Sequence, residues 1–286
     1  MKHHDNDTAR ATLRVRKHPK LDDESAGATL VGASLDPQNG HLSKAQCKAL
    51  DRERIVALTE QIAVQQSMLY AQRKQKVLLV LQGMDTGGKD GTVKAIFNNI
   101  NPMGIRAVAF KSPTAIELAH DYLWRVHQHV PVFGEIAIFN RSHYEDVLIT
   151  RVQGWIDADE CQRRYGHIRD FERMLADTGT TVVKVFLHIS KDEQRARLQE
   201  RLDDPDKQWK FDPNDVAQRK LWDDYRKAYE KALHETDCEA APWYVVPADS
   251  KTQRNLAVAS LLLETLQAMH LEFPAPDPKL SKMKVV

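Results

Sequence analysis

The sequence of 286 residues predicts an α/β fold in which helices flank a parallel sheet. Apolar, β-rich runs alternate with helical patterns over most of the chain, and this alternation favours a parallel sheet covered on both faces. The apolar run Val77–Leu81 leads directly into the glycine-rich stretch Gly83–Gly91. A second, strongly β-branched run, Thr181–Ile189, precedes a charged helical region. The carboxyl ends of such strands should meet in one ligand-binding cleft.

The elements follow in chain order. A helical pattern begins at Ser43, a plausible N-cap, and continues to Gln75. Strands are predicted at 77–81, 105–110, 135–139, 181–189 and 243–247. Further helices are predicted at 91–100, 114–129, 165–176, from 191 onward, 215–235 and 252–270.

Three parts are expected along the chain. Residues 1–42 are polar and rich in Gly, Asp, Pro and Lys, which predicts a mostly irregular N-terminal arm. Residues 43–272 are expected to form the domain that holds the sheet and the glycine-rich stretch, with a helical lid at about 191–214. Residues 273–286 are a proline-rich C-terminal tail.

Composition narrows the class of partner. The net charge is +1, so no overall field attracts nucleic acid or a membrane surface, and we expect neither as a partner. The three cysteines are widely spaced and odd in number, which argues against a disulfide framework and fits a reducing compartment. No run approaches the length of a membrane span. We therefore expect a cytoplasmic protein that meets polyanions through a local basic patch.

The glycine-rich stretch has the spacing of a phosphate-binding P-loop, with Gly83, four residues, then Gly88 and Lys89. Glycines let several backbone N–H groups point into one concavity, and the helix N-terminus adds partial positive charge. An ordinary glycine-rich turn is the alternative interpretation. The candidate phosphate-binding residues of this stretch are Gly83, Gly87, Gly88, Lys89, Asp90 and Gly91.

Two carboxylates complicate this loop. A P-loop normally has Ser or Thr after the lysine, whereas this chain has Asp90, and Asp85 lies within the loop. A carboxylate beside phosphates is tolerable when a cation lies between them, and Mg²⁺ binds one or two carboxylates plus phosphate oxygens. We expect Asp85 to contribute to a metal site. For Asp90, a role in the phosphate site and a structural role as an N-cap or first-turn acid are equally good interpretations.

A second polar stretch, Asn140–Asp146, follows the strand that ends at Phe139. Arg141 could clamp a phosphate with two parallel hydrogen bonds. Glu145 and Asp146 could contact a metal ion or the acceptor. The alternative is a polar cap followed by a charged first helical turn. His143 is not needed as a general base, because phosphate oxygens are already ionised.

A third stretch contains Arg197 and Arg201, four residues apart and therefore on one helix face. Its place after the fourth strand predicts a mobile lid that brings arginines over a transferring phosphoryl group. A solvated charged face is the alternative.

From about residue 45 to 270 the chain resembles the polyphosphate kinase 2 family. The resemblance rests on Gly83-Met-Asp-Thr-Gly-Gly-Lys-Asp-Gly91, Phe110-Lys-Ser-Pro-Thr114, Asp121-Tyr-Leu-Trp-Arg125, Gly134-Glu-Ile with Phe139-Asn-Arg-Ser-His-Tyr-Glu-Asp146, and Trp222-Asp-Asp-Tyr225. It implies a thymidylate-kinase-like P-loop fold. It also implies transfer of the terminal phosphoryl group of inorganic polyphosphate to a nucleotide with Mg²⁺, for which Mn²⁺ is a possible substitute.

The family's loop carboxylate and lysine fall on Asp85 and Lys89, and its second motif falls on Asn140 and Arg141. Many members have Asp where this chain has Asn140, so direct metal binding by that position is not implied. Glu145 matches the subgroups that accept nucleoside monophosphates, and the motif is most similar to the subgroup using both AMP and ADP. Guanine nucleotides remain alternative acceptors.

The resulting expectations are specific. The candidate catalytic residues are Asp85, Lys89, Asn140, Arg141, Arg197 and Arg201. Polyphosphate is expected to meet a basic trough that also includes Lys111, Arg151 and Lys210. The candidate acceptor-binding residues are Asp121, Arg125, Arg141, Tyr144 and Glu145. Asp85 and Glu145 are the candidate metal ligands, and a homo-oligomer, either a dimer or a tetramer, is expected.

Two other functions fit the sequence less well. An ordinary ATP-dependent nucleotide kinase is disfavoured by Asp90 and by the lack of an evident adenine-stacking motif. A P-loop regulatory or nucleic-acid-binding module is disfavoured by the near-neutral charge and by the lack of alternating aromatic and basic residues.

Overall fold

The computed structural model describes residues 8–15, 18–280 and 283. Within them lies one five-stranded parallel sheet with the spatial order β2-β3-β1-β4-β5. The strands are β1 (Lys76–Gln82), β2 (Ile105–Ala109), β3 (Ile136–Asn140), β4 (Thr180–His188) and β5 (Trp243–Pro247). The predicted α/β class and all five strand positions are confirmed, with boundaries shifted by one residue in most cases.

Helices pack on both faces of the sheet. They are α1 (Ala9–Leu13), α2 (Asp23–Ala26), α3 (Lys44–Gln72), α4 (Lys89–Phe97), α5 (Ala115–Leu118), α6 (Trp124–His127), α7 (Ile149–Val152), α8 (Ala158–Asp177), α9 (Lys191–Asp203), α10 (Pro213–Gln218), α11 (Trp222–Thr236) and α12 (Lys251–Ala268). Short 3₁₀ turns lie at Ala33–Leu35, Pro37–Asn39, Pro102–Gly104, His143–Asp146, Gln208–Lys210 and Arg219–Leu221.

The central strand explains where the site lies. β1 pairs with β3 on one side and with β4 on the other, so Leu79 lies opposite both Ile138 and Val183. Side chains alternate across the sheet: Leu79 joins the core under α3 and α12, and Val80 joins the core under α8 and α11. A continuous apolar run is what a strand buried on both faces requires. The segment after β1 therefore emerges at the middle of the carboxyl edge.

Two predicted helices are divided. Residues 114–129 form α5 and α6 instead of one helix, because Asp121 Oδ1 accepts from the N–H groups of Leu123 and Trp124, both at 3.0 Å, and starts a new helix. Residues 215–235 divide at the 3₁₀ turn Arg219–Leu221. At that turn the Arg219 guanidinium is bonded to the Lys191 carbonyl at 2.7 Å.

The N-terminal segment packs against the fold. Its described part contains α1, α2 and two 3₁₀ turns, and Leu13 and Leu21 are buried in the two cores. The Val15 N–H donates to the Trp243 carbonyl at 2.9 Å, at the edge of β5. Residues 1–7 and 16–17 lie outside the described residues, as do 281–282 and 284–286 of the predicted tail. The domain boundaries at 42/43 and 272/273 remain predictions. No helix in the described part of the chain is both long and apolar enough to cross a membrane.

Candidate active site

The loop between β1 and α4 has the conformation that the motif predicts. Gly88 has a φ of 99°, in the left-handed region that favours glycine, and a Cβ at this position would lie 1.8 Å from Arg254 Nη1. A Cβ at Gly83 would lie 2.7 Å from the Leu187 carbonyl oxygen. Both positions therefore admit only glycine. Strand, turn and helix follow one another as a phosphate-binding loop requires.

Lys89 is the first residue of α4 and is buried. Its Nζ donates to the carbonyl oxygens of Gly83 at 2.6 Å and Met84 at 3.3 Å. Burial and the charge of Arg141 lower the pKa of Lys89, and Asp85 opposes them. Among the residues that the structure describes, the ammonium group thus has only backbone carbonyls as hydrogen-bond partners. A phosphate in the loop would offer it a stronger, charged acceptor.

Asp85 and Arg141 form an ion pair across the cleft, with Arg141 Nη2 at 2.6 Å from Asp85 Oδ1. Arg141 directly follows β3 and has a φ of 61°. Burial works against its charge, but Glu145 and Asp85 outweigh burial and raise the pKa of Arg141. The side chains are 39% and 29% exposed, so ligands can reach both. The structure therefore brings together two of the predicted catalytic residues.

Glu145 lies in the 3₁₀ turn His143–Asp146, which Ser142 caps. Its Oε1 accepts from the Gln82 amide at 3.1 Å, when that amide is oriented to satisfy Ser142 as well. Burial raises the pKa of Glu145, although Arg141 and Lys89 oppose the shift. The carboxylate is thus held near two cations at the end of β1, and its contact with an acceptor or a metal ion remains a prediction.

Asn140 and Asp90 are hydrogen-bonded to each other, the amide donating to Asp90 Oδ1. Asp90 is exposed in the first turn of α4, where a negative charge favours a helix N-terminus. The N-cap itself is Gly88. Asp90 is therefore a first-turn acid, and its part in phosphate binding remains a prediction.

Asp85, Arg141 and Glu145 line a cleft of about 200 Å³, together with Gly83 and Met84 of the loop. Its far wall comes from α10 and α11 and contains Asp212, Asp215, Gln218, Arg219, Trp222, Tyr225 and Tyr229. Burial and the charge of Asp85 raise the pKa of Asp215 to about 6, although Arg201 opposes the shift. The sequence singled out Trp222 and Tyr225 without a role and missed Tyr229, which lies one helical turn beyond Tyr225.

The lid arginines lie differently from the prediction. Arg197 is buried, and its guanidinium donates to the carbonyls of Thr86 at 2.9 Å and Ala248 at 2.6 Å. It therefore braces the back of the P-loop and does not reach over the cleft, because every nitrogen of its side chain is already bonded. Arg201 contacts the Lys210 carbonyl at 3.1 Å and Asp215 at 3.5 Å, so it ties α9 to the far wall.

Three of the predicted acceptor-binding residues lie outside the cleft wall. Tyr144 is buried, and its hydroxyl donates to Glu172 Oε1 at 2.8 Å, so it belongs to the core. Arg125 is also buried and donates to the Lys111 carbonyl at 2.8 Å and to Asp146 at 3.4 Å. Asp121 caps α6. In this structure their side chains position neighbouring loops, and their contacts with an acceptor remain predictions.

Three predicted phosphate-binding cations are exposed and away from the cleft lining. Lys111 and Arg151 lie on surface segments, and Lys210 lies 4.8 Å above the ring of Trp209. Their contacts with a long polyanion remain predictions.

The metal prediction can be compared with the donor atoms present. In the part of the chain that the structure describes, no group of three or more His, Cys, Asp or Glu residues is arranged to hold a metal ion. Mg²⁺ needs no such cage, because it keeps several waters and is bound through one or two carboxylates plus substrate phosphates. Asp85 and Glu145, beside the P-loop, fit that kind of partial site.

Three comparisons place this geometry among known proteins. The family model for polyphosphate kinase 2 matches residues 45–274. The AMP/ADP-polyphosphate phosphotransferase of Meiothermus ruber is 54% identical over 233 residues, which cover 82% of this chain and 87% of that protein. The ADP-polyphosphate phosphotransferase of Rhodopseudomonas palustris is 44% identical, covering 77% and 80% of the two chains.

A solved structure agrees with the fold. The crystal structure of polyphosphate kinase 2 from Arthrobacter aurescens TC1 superposes with a TM-score of 0.82 at 43% identity, over 94% of this chain and 93% of that chain. The residues that the family model matches, 45–274, include the P-loop and all the residues that line the cleft. The chain belongs to the polyphosphate kinase 2 family.

Proposed function

We propose that this protein transfers the terminal phosphoryl group of inorganic polyphosphate to AMP or ADP, reversibly and with Mg²⁺. One observation carries the proposal: Lys89, the Asp85–Arg141 pair and Glu145 surround the mouth of a P-loop at the carboxyl edge of the sheet. The names of the Meiothermus and Rhodopseudomonas relatives support the same reaction class.

The donor's terminal phosphate would lie in the P-loop. The loop N–H groups and the N-terminus of α4 provide partial positive charge there. Lys89 would exchange the Gly83 carbonyl for a phosphate oxygen, and Arg141 would turn from Asp85 to clamp the transferring group. Because phosphate oxygens of the acceptor are already ionised, positioning and charge neutralisation do most of the catalytic work.

Asp85 and Glu145 would hold the Mg²⁺. When bound, the ion neutralises charge on donor and acceptor phosphates that otherwise repel each other. In the free protein Arg141 balances the negative charge of Asp85 directly. Mn²⁺ has similar oxygen preferences and is a reasonable substitute.

The acceptor would enter between the P-loop and the wall formed by α10 and α11. Trp222, Tyr225 and Tyr229 give that wall flat apolar surfaces suited to a nucleobase. Such surfaces suit adenine and guanine alike, so GMP and GDP are included among the acceptors to be tested.

The decisive experiment measures ATP and ADP formed from AMP or ADP with Mg²⁺ and polyphosphate. A parallel reaction offers ATP as donor to AMP. Efficient transfer from polyphosphate, with little from ATP, supports the proposal. Transfer from ATP alone would establish an ordinary nucleotide kinase instead.

We also propose a cytoplasmic homo-oligomer, a dimer or a tetramer. Cys47, Cys161 and Cys238 are free, which fits a reducing compartment. Light scattering on the purified protein gives the mass, and a monomer at assay concentrations would contradict the oligomer.

A further inference from the structure

Arg254 lies in the first turn of α12 and packs against the outer side of the P-loop. Its side chain is buried, with 3% of the residue exposed. The guanidinium occupies the space beside Gly88 and the start of α4, since Nη2 lies 3.3 Å from where a Gly91 Cβ would be. Nη1 is 3.5 Å from the Gly87 carbonyl oxygen. Arg254 thus contacts the loop backbone but does not line the cleft.

Within the described ranges of the chain, the charge of Arg254 has no anionic partner. Its other acceptor is the neutral Asn255 side chain, at 3.1 Å from Nε and 2.9 Å from Nη2. Among the described residues no carboxylate lies within 4.0 Å of the guanidinium. Arg197 adds a second buried cation nearby, and burial together with Arg197 lowers the pKa of Arg254 to about 10. The group therefore stays cationic at neutral pH.

Such a charge is costly in a protein interior. A buried cation is normally balanced by a carboxylate with further hydrogen bonds. Arg197 has such a partner in Glu193, at 2.8 Å, whereas Arg254 has none among the described residues. Both arginines also bond successive loop carbonyls, Arg197 that of Thr86 at 2.9 Å and Arg254 that of Gly87 at 3.5 Å. Carbonyls held on the outer side leave the loop N–H groups available to the cleft. The only anion that the proposed function brings close to this loop is a phosphoryl group.

We propose that Arg254 is a positioning residue of the P-loop whose buried charge is balanced by the phosphoryl group bound on the other side of the loop. This rests on the proposed function. Arg254 makes no contact with the ligand: it fixes the loop backbone and adds positive potential behind it. Phosphate binding then relieves an electrostatic cost that the free protein carries.

The test compares R254M, R254Q and R254K with the wild type. Tripolyphosphate binding is measured by calorimetry at several salt concentrations, without nucleotide, and folding is checked by thermal unfolding. We expect R254M and R254Q to bind about tenfold more weakly or worse and to depend less on salt, because one buried positive charge is gone. R254K, which keeps the charge, should retain most of the affinity. Tripolyphosphate should raise the melting temperature of the wild type more than that of R254Q.

R106M is the matched control. Arg106 lies on the edge strand β2, away from the P-loop, and pairs with Glu135. Loss of the Arg106 side chain should leave tripolyphosphate binding unchanged. Wild-type affinity in R254M or R254Q would overturn the inference. So would equal losses in R254K and R254Q with an unchanged salt dependence, since that is the result of packing alone. If R254M does not fold, the R254Q and R254K pair decides.

The transfer assay keeps the two proposals apart. A wild type that binds tripolyphosphate in an Arg254-dependent way but transfers nothing from polyphosphate would refute the function and leave the inference standing. A wild type that transfers phosphoryl groups with no dependence of binding on Arg254 would do the reverse.

Discussion

The molecule contains two clusters of charge that differ in how completely they are satisfied. In the core cluster, Lys184 Nζ donates to Glu172 Oε2 at 2.6 Å, to the Tyr144 hydroxyl at 2.9 Å and to the Thr236 carbonyl at 2.8 Å. Both charged side chains are fully buried. Burial raises the pKa of Glu172, but Lys184 and His143 outweigh it, and the net pKa is lowered. Lys184 and Glu172 therefore neutralise each other's charge inside the core.

The cleft cluster is incomplete. In the described part of the chain Lys89 has only carbonyl partners, Asp85 and Arg141 are partly exposed, and the pKa of Glu145 is raised. Charges of this kind can exchange partners when phosphates arrive. The core cluster therefore stabilises the fold, whereas the cleft cluster has charges that a bound ligand can still neutralise.

One turn of chain joins the two clusters. In His143–Asp146, His143 and Tyr144 contact Glu172 in the core, and Glu145 faces the cleft. A rigid core cluster thus fixes the direction in which Glu145 points. Four predictions test this division.

The largest effect is expected in the core. Lys184→Met leaves Glu172 as a buried carboxylate without its cation, and breaking a buried pair in this way costs about 3–5 kcal/mol of unfolding free energy. Urea unfolding of the variant measures it. Lys184→Met combined with Glu172→Gln should recover part of the loss, because no uncompensated charge remains. A double variant less stable than Lys184→Met would contradict the core interpretation.

In the cleft, Lys89→Ala should leave the fold intact and lower kcat about 10²–10³-fold or more, because a donor facing the developing charge is lost. Steady-state kinetics and circular dichroism check both halves. Lys94→Ala, an exposed lysine on the same helix, is the control and should stay near wild type. Normal turnover of Lys89→Ala would remove the P-loop from the mechanism.

These two regions also show what the sequence could predict. The strands and the P-loop depend on local patterns, namely apolar runs, glycine spacing and a following helix, and they were predicted correctly. The roles of Tyr144 and Arg197 depend on which side of a turn or helix faces which neighbour. Motif spacing does not contain that direction: Tyr144 points away from the cleft although its neighbour Glu145 points into it.

Arg254 illustrates the same difficulty across a longer distance. It lies 166 positions after Gly88 along the chain, and the contact exists only because α12 packs beside α4. The glycine was predicted from the motif, but what fills the space beside it could not be.

A smaller effect is expected at Asp85. Asp85→Asn removes a proposed metal ligand and also frees Arg141, so activity should fall while the Mg²⁺ concentration for half-maximal rate rises. A magnesium titration of both proteins measures the shift. A lower rate with an unchanged Mg²⁺ dependence would leave Asp85 as an Arg141-positioning residue with no part in metal recruitment.

The smallest and most selective effect is expected at Glu145. If transfer is in line for both acceptors, AMP places its α-phosphate where ADP places its β-phosphate, and the shorter acceptor leaves a gap on its nucleoside side. A carboxylate beside that gap can hold a metal ion or a water that positions AMP. A neutral amide lacks the negative charge that this requires. Glu145→Asn should therefore lower kcat/KM for AMP several-fold more than for ADP.

The pH dependence of the wild type sharpens this prediction. Because the pKa of Glu145 is raised, its carboxylate gains a proton at a higher pH than an ordinary glutamate. As the pH falls, transfer to AMP should decline before transfer to ADP, and in Glu145→Asn the two profiles should run in parallel. Equal losses for AMP and ADP in the variant would show that Glu145 has no part in acceptor choice and serves the shared phosphoryl site, together with Asp85 and Arg141.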